Sequence, residues 1–152
     1  MEPSEQIKNI AVELLETLSI EAEVTVTPDE SGAFRVHIET PETGLLIGFH
    51  GQTLESFQIL LSLIVGKTLG TWEKVYVNVG DYREKREEAL MYMAQRAADR
   101  AIMSGRPVEL SRLSPSERRV IHLTLSGDER VMTESTGEGK ERKLIISPKI
   151  AE

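Results

Sequence analysis

Three short stretches of the sequence have the residue types and spacing to hold a phosphate-bearing chain. The first is Gly48-Phe49-His50-Gly51-Gln52. Two glycines around a pair of residues, at the mouth of a helix, let a ligand approach the backbone without side chains in the way. The amides that open the following helix point outward, and its dipole favours an anion there. The same pattern also makes an ordinary tight turn. The second stretch is Arg118-Arg119-Val120-Ile121-His122, where Arg118 and His122 fall on one face of a helix. A guanidinium and an imidazole side by side suit an anion, and such a pair is also common on plain helix surfaces. In the third, Lys140, Arg142 and Lys143 follow the flexible positions Gly137 and Gly139. A hairpin loop with solvated charges explains that stretch equally well.

The surrounding patterns say which elements would carry these residues. Ile7, Ala11, Leu14 and Leu18 recur at the spacing of one helix face. Residues 21–27 and 34–40 alternate polar and apolar as half-buried strands do, around a turn at Pro28 to Gly32. A helical turn over 41–46 leads into the glycine pair. A strongly apolar helix is expected from Gln52 to Val65, ending near Gly66, with Leu54, Phe57, Leu61 and Ile64 inward. Val75, Val77 and Val79 form a third strand.

After Gly80 a helix runs to about Met103 with Leu90, Ala94, Ala97 and Ala101 inward, and Ser104-Gly105-Arg106-Pro107 stops it. Ser114-Pro115-Ser116-Glu117 is a capping box with proline at the first helical position. It opens a helix carrying Val120, Ile121, Leu123 and Leu125. Strands near 129–134 and 142–147 finish the chain. The expected fold is α+β in two small domains, 1–80 and 81–152.

Charge divides at the same place. Residues 1–80 hold 4 Lys or Arg against 12 Asp or Glu, whereas 81–152 hold 14 against 13. A net charge of −7 does not suggest a protein that seeks a polyanion with its whole surface. The second half is where phosphate contacts are expected. From Gly44 to Leu60 there is no Lys or Arg, so the glycine turn offers only Phe49 and His50 between its glycines. The absence of cysteine excludes disulfides and cysteine-ligated metal sites. No apolar run approaches the roughly 20 residues that cross a bilayer, and the first residues lack a secretory pattern. No membrane insertion is expected, and the default location is cytoplasmic.

The setting of the two motifs sharpens their reading. Leu46-Ile47-Gly48-Phe49-His50-Gly51-Gln52-Thr53-Leu54 resembles the signature loop of KH domains, and the element order αββααβ is similar to the type II arrangement. Leu113-Ser114-Pro115-Ser116-Glu117-Arg118-Arg119-Val120-Ile121-His122-Leu123 resembles the core of an R-three-H domain, whose helices pack on a small sheet. A KH domain followed by an R-three-H domain resembles the bacterial Jag, or SpoIIIJ-associated, family over about residues 5–150. The resemblance implies single-stranded RNA binding, often beside a second small KH protein, and a link to envelope growth and division. It assigns RNA contacts to Gly48, Phe49, His50, Gly51, Gln52, Arg118, Arg119 and His122, with Lys140, Arg142 and Lys143 as a third contact. Family members commonly carry a further N-terminal Jag domain. The sequence lacks residues resembling it, as expected of a short form or a truncated chain.

Two other readings compete. Catalysis would need a nucleophile with a base, paired carboxylates or clustered metal ligands. His37, His50 and His122 lie in different elements, and only His37 and Glu39 share a strand face. Neither an enzyme nor a cofactor or metal site is expected. The stronger rival is a protein-interaction module that dimerises through the first domain. Ile59 and Leu63 point away from the inward stripe of their helix and are the candidate surface, for self-association or a second KH protein.

Overall fold

A computed structural model describes residues 1–149. The last three positions of the expected 81–152 module lie outside the described residues. The chain forms two compact units, Met1–Arg83 and Glu84–Glu152, each with its own apolar cluster. The α+β class expected from the patterning is what folds.

The first unit consists of α1 (Pro3–Thr17), β1 (Glu23–Pro28), β2 (Phe34–Glu39), α2 (Thr43–Ile47), α3 (Gln52–Leu69) and β3 (Val75–Val79). The sheet order is β1-β2-β3, with β1 antiparallel and β3 parallel to β2. Alternation decides which face is buried: Val24, Val36, Ile38, Val75, Val77 and Val79 turn inward against Leu54, Phe57 and Leu61 of α3. Asp29 closes the β1–β2 turn, its carboxylate accepting from the Ser31 hydroxyl at 2.6 Å, the Ser31 and Ala33 amides and the Arg35 guanidinium. Those donors, the Ser31 hydroxyl foremost, hold its carboxyl at about 2.

Three expectations shift by about a turn or less. On α1 the buried stripe is Ile7, Ala11 and Leu15, while Leu14 is half-buried and Leu18 exposed. On α3 the fourth inward residue is Val65 rather than Ile64, the position one turn on from Leu61. Gly66 does not end that helix, which runs on to a left-handed Gly70 (φ 72°). The open edge of β3 is sealed by side chains. Gln58 of α3 accepts from the Val77 amide at 2.8 Å, and Arg83 donates to the Val77 carbonyl at 2.6 Å and to Gln58 at 2.8 Å.

The second unit contains most of α4 (Tyr82–Ser104), then β4 (Val108–Leu110), α5 (Pro115–Leu125), β5 (Val131–Thr136) and β6 (Lys143–Pro148). Its sheet is antiparallel in the order β4-β6-β5. The short β4 was not expected, since three residues are too few for a period to declare itself. It pairs Val108 with Ile146 and Leu110 with Leu144. Leu90, Ala94, Ala97, Ala98 and Ala101 of α4 face Ile121, Leu125, Leu144 and Ile146 in the core. Of the apolar residues that α5 carries, Ile121 and Leu125 are buried and Leu123 is 58% exposed.

Candidate nucleic-acid interface

The glycine turn begins where α2 ends. Gly48 (φ 72°), His50 (φ 51°) and Gly51 (φ 79°) all adopt positive φ, and the turn runs directly into α3. Both glycines answer to their neighbours. A Cβ at Gly48 would collide with the Thr53 side chain, and one at Gly51 would come within 3.0 Å of the Tyr82 ring. The turn is therefore demanded by the fold itself, and its shape needs no ligand to explain it. Phe49 and His50 are exposed, and their rings stack with centroids 3.9 Å apart and planes at 21°. Gln52, the first residue of α3, is exposed beside them.

In the second unit the helix start is heavily fixed. The Ser114 hydroxyl accepts from the Glu117 amide at 3.2 Å, and the Glu117 carboxylate accepts from the Ser114 amide at 3.1 Å, completing the expected capping box. The other Glu117 oxygen accepts from Arg86 of α4 at 2.6 Å, an ion pair with both side chains largely buried at 17% and 12% exposure. One of the two remaining Arg86 nitrogens, Nη2, is buried without a hydrogen-bond partner among the described residues. Arg118 Nη1 donates to the Leu113 carbonyl at 2.6 Å, tying the incoming loop to the helix. Arg118 is thus half-buried, and its guanidinium has a structural duty as well.

Core gives way to site along two matched faces. On α5, Ile121 and Leu125 are buried, while Arg118 and His122 continue toward solvent. On β5 the inward positions run Val131, Thr133, Ser135, from buried to half-buried. The two polar ends meet. His122 Nδ1 is hydrogen-bonded to the Thr133 hydroxyl, which orients the ring and leaves Nε2 with no partner among the described residues. Arg118, Arg119 and His122 then surround a shallow concavity of about 470 Å³ together with Pro115, Thr133, Ser135, Arg142 and Leu144. Arg119 is exposed with no ion-pair partner among the described residues. Arg142 is held in place by donating to the Gly137 carbonyl at 3.2 Å.

The structure thus brings Arg142 to the Arg118–His122 face but not the other two basic residues of that loop. Lys140 sits exposed in a short 3-10 turn, Gly139–Glu141, and does not line the concavity. Lys143 alternates to the opposite face of β6 from Leu144 and pairs with Glu109 at 3.0 Å. Thr133 and Ser135 were missed in the sequence. Their signal was the hydroxyls replacing apolar residues at every second position after Val131. Elsewhere, His37 and Glu39 form a simple surface pair at 2.6 Å, and no group of three or more metal-ligating side chains occurs among the described residues. Ile59 and Leu63 are 57% and 55% exposed, and Leu60, not singled out by periodicity, is 47% exposed beside them.

Comparison with known proteins adds to this geometry. Residues 4–79 match the KhpA/KhpB KH domain family, and residues 88–148 match the R-three-H domain family. The chain is 35% identical over 150 residues to a Clostridium symbiosum protein named RNA-binding protein KhpB, covering 95% of this chain and 68% of that one. It is 34% identical over 151 residues to the Bacillus subtilis protein of the same name, covering 98% and 72%. The Streptococcus pneumoniae serotype 2 protein of that name is 30% identical over 145 residues, 93% of this chain and 44% of the relative.

Proposed function

The chain belongs to the KhpB family, a KH domain followed by an R-three-H domain, and from that premise we propose that it binds single-stranded RNA without catalysing a reaction on it. The observation that carries this reading is the concavity where Arg118, Arg119, His122 and Arg142 converge with the hydroxyls of Thr133 and Ser135. Guanidinium groups pair with phosphate oxygens through charge-assisted hydrogen bonds, and hydroxyls beside them accept or donate to ribose. The concavity is of a size to take one phosphate and its sugar. The Gly48–Gly51 turn supplies a second, weaker contact, with Gln52 beside it, and Lys140 adds an exposed charge in the turn that precedes Arg142.

In this reading residues 81–152 provide most of the phosphate contacts and residues 1–80 provide shape. Arg119→Ala tests the assignment most cleanly, because Arg119 is exposed whereas Arg118 also holds the Leu113 carbonyl. Titration against unstructured RNA should show affinity lower by about 1–2 kcal/mol for Arg119→Ala, at an unchanged melting temperature. Unchanged affinity would defeat the assignment. Intact RNA after incubation with and without divalent metal is expected if no catalysis occurs. The link to envelope growth and division implied by the Jag resemblance, and action in the cytoplasm on transcripts, belong to the same proposal. Crosslinking in cells followed by sequencing of the attached RNA would name the targets.

A second reading, association through the first unit, is favoured by the contiguous exposure of Ile59, Leu60 and Leu63 on α3. Leu63→Asp should convert any dimer, with itself or with a second KH protein, into monomer while keeping the thermal transition. A wild-type chain that stays monomeric at high concentration with and without that partner excludes it.

A further inference from the structure

We propose that the Gly48–Gly51 turn takes a nucleobase on the open face of the Phe49 ring, rather than a phosphate on its backbone. This rests on the RNA-binding reading above and names what one part of the RNA does.

Three observations lead to it. First, the turn is poor in what a phosphate needs. No Lys or Arg occurs from Gly44 to Leu60, and residues 1–80 carry 12 acidic against 4 basic residues. Within residues 44–60 the outward amides of α3 are the main feature that favours an anion, and Glu55 already stands in the first turn of that helix, where its carboxylate meets the dipole. Second, the turn spends its exposed positions on aromatic surface. Phe49 is 60% exposed, while Leu46 before it and Leu54 after it are 1% and 2% exposed. A phenyl ring this close to a buried cluster would fold inward if packing were its only role. Third, the ring is held in place from one side. His50 lies against it at 3.9 Å between centroids and 21° between planes, and His50 is kept there by a left-handed backbone (φ 51°) that non-glycine residues seldom adopt. One face of Phe49 is covered by the imidazole, and the residue still remains 60% exposed. Every base presents a π face, so such a platform binds without strict sequence preference and without charge.

The chemistry separates this from a phosphate clamp. A phosphate contact adds about 0.7 to the salt slope of single-strand binding, whereas stacking on an uncharged ring adds none. The experiment uses the full chain and two labelled RNAs of equal length, an oligoadenylate and its fully abasic counterpart, in anisotropy titrations at several salt concentrations. Phe49→Leu keeps the bulk and removes the π face. It should weaken binding to oligoadenylate about tenfold, leave the salt slope unchanged, and leave binding to the abasic strand unchanged. Phe49→Trp should restore or exceed wild-type affinity. Phe49→Lys should steepen the salt slope and still bind oligoadenylate more weakly than wild type at physiological salt.

Equal affinity of Phe49→Leu and wild type for oligoadenylate would overturn the inference while RNA binding stands. So would an equal loss on both strands, or tighter binding by Phe49→Lys at physiological salt. A folded wild-type chain that binds neither strand would overturn the RNA-binding reading, and this inference with it. Melting curves of each variant guard against misfolding, and the exposure of Phe49 makes unchanged transitions the expectation.

Discussion

The Gly48–Gly51 turn leads into α3 and the Arg118–His122 face lies along α5, and their side chains are fixed by opposite means. At the turn, glycines make room: the backbone is bent by positive φ at Gly48, His50 and Gly51, and Thr53 and Tyr82 leave no space for larger residues. The exposed surface is two stacked rings. At the α5 face, polar contacts do the fixing. Arg86 holds Glu117, Glu117 and Ser114 cap each other, Arg118 holds the Leu113 carbonyl, and Thr133 holds His122. The first arrangement spares charge because its unit is acidic; the second concentrates charge by anchoring each cation or its neighbour. A contact surface can thus be preorganised by steric exclusion or by a hydrogen-bonded network, and the two should fail differently.

The largest expected effect comes from breaking the network. Arg86→Ala leaves the buried Glu117 carboxylate without its cation, and loss of one partner of a buried pair costs about 3–5 kcal/mol. Hydrogen exchange should show α5 and β6 amides losing protection while β2 amides keep theirs. Equal loss in both units would mean that their stabilities are coupled. Replacing the pair by Arg86→Met with Glu117→Leu should recover much of the stability, since apolar substitutes for buried pairs are often neutral.

Breaking the steric device should cost less. Gly48→Ala forces a Cβ against Thr53 at φ 72°, and overpacking of this kind costs about 1–3 kcal/mol. The loss should appear in the first unit, and Thr53→Ser should relieve only part of it because the positive φ persists. Full stability of Gly48→Ala in chemical denaturation would contradict the steric account.

Salt dependence sharpens the comparison without unfolding anything. Arg119→Gln and Arg142→Gln should each lower the slope of log affinity against log salt by about 0.7. His50→Gln should leave the slope unchanged at pH 8. A reduced slope for His50→Gln, with none for the arginine variants, would reverse the roles assigned to the two units.

The smallest effect concerns a device the two units share. Asp29 in the β1–β2 turn and Asp128 after α5 both titrate at about 2 rather than 3.8. The leading causes are hydrogen bonds from the Ser31 hydroxyl and the Arg130 guanidinium, respectively. Because folding depresses both values, their stabilisation is fully present above the unfolded value near 3.8 and disappears as pH falls through about 2. Asp29→Asn and Asp128→Asn should each lower the melting temperature slightly at pH 6, and most of the difference from wild type should be gone at pH 2, where each carboxylate is about half protonated. A difference undiminished at pH 2 would assign the effect to turn geometry instead of charge.

The sequence by itself determined the order and type of the long elements, because burial imposes a period. The valines of β3, the alanines of α4 and the capping box at Ser114 are all read directly from spacing. It also determined both motifs, whose residues are contiguous along the chain. Tertiary structure decided everything that depends on residues far apart in sequence. Periodicity does not reveal that Arg86 reaches Glu117, that Thr133 meets His122, or that Arg142 joins the α5 face while Lys143 turns away to Glu109. It also leaves Leu15 and Val65 indistinguishable from their apolar neighbours, since the winning position depends on how each helix is rotated against its sheet. Contiguous patterns record local backbone preference, whereas side-chain partners across elements are fixed only when the packed core sets the distances between them.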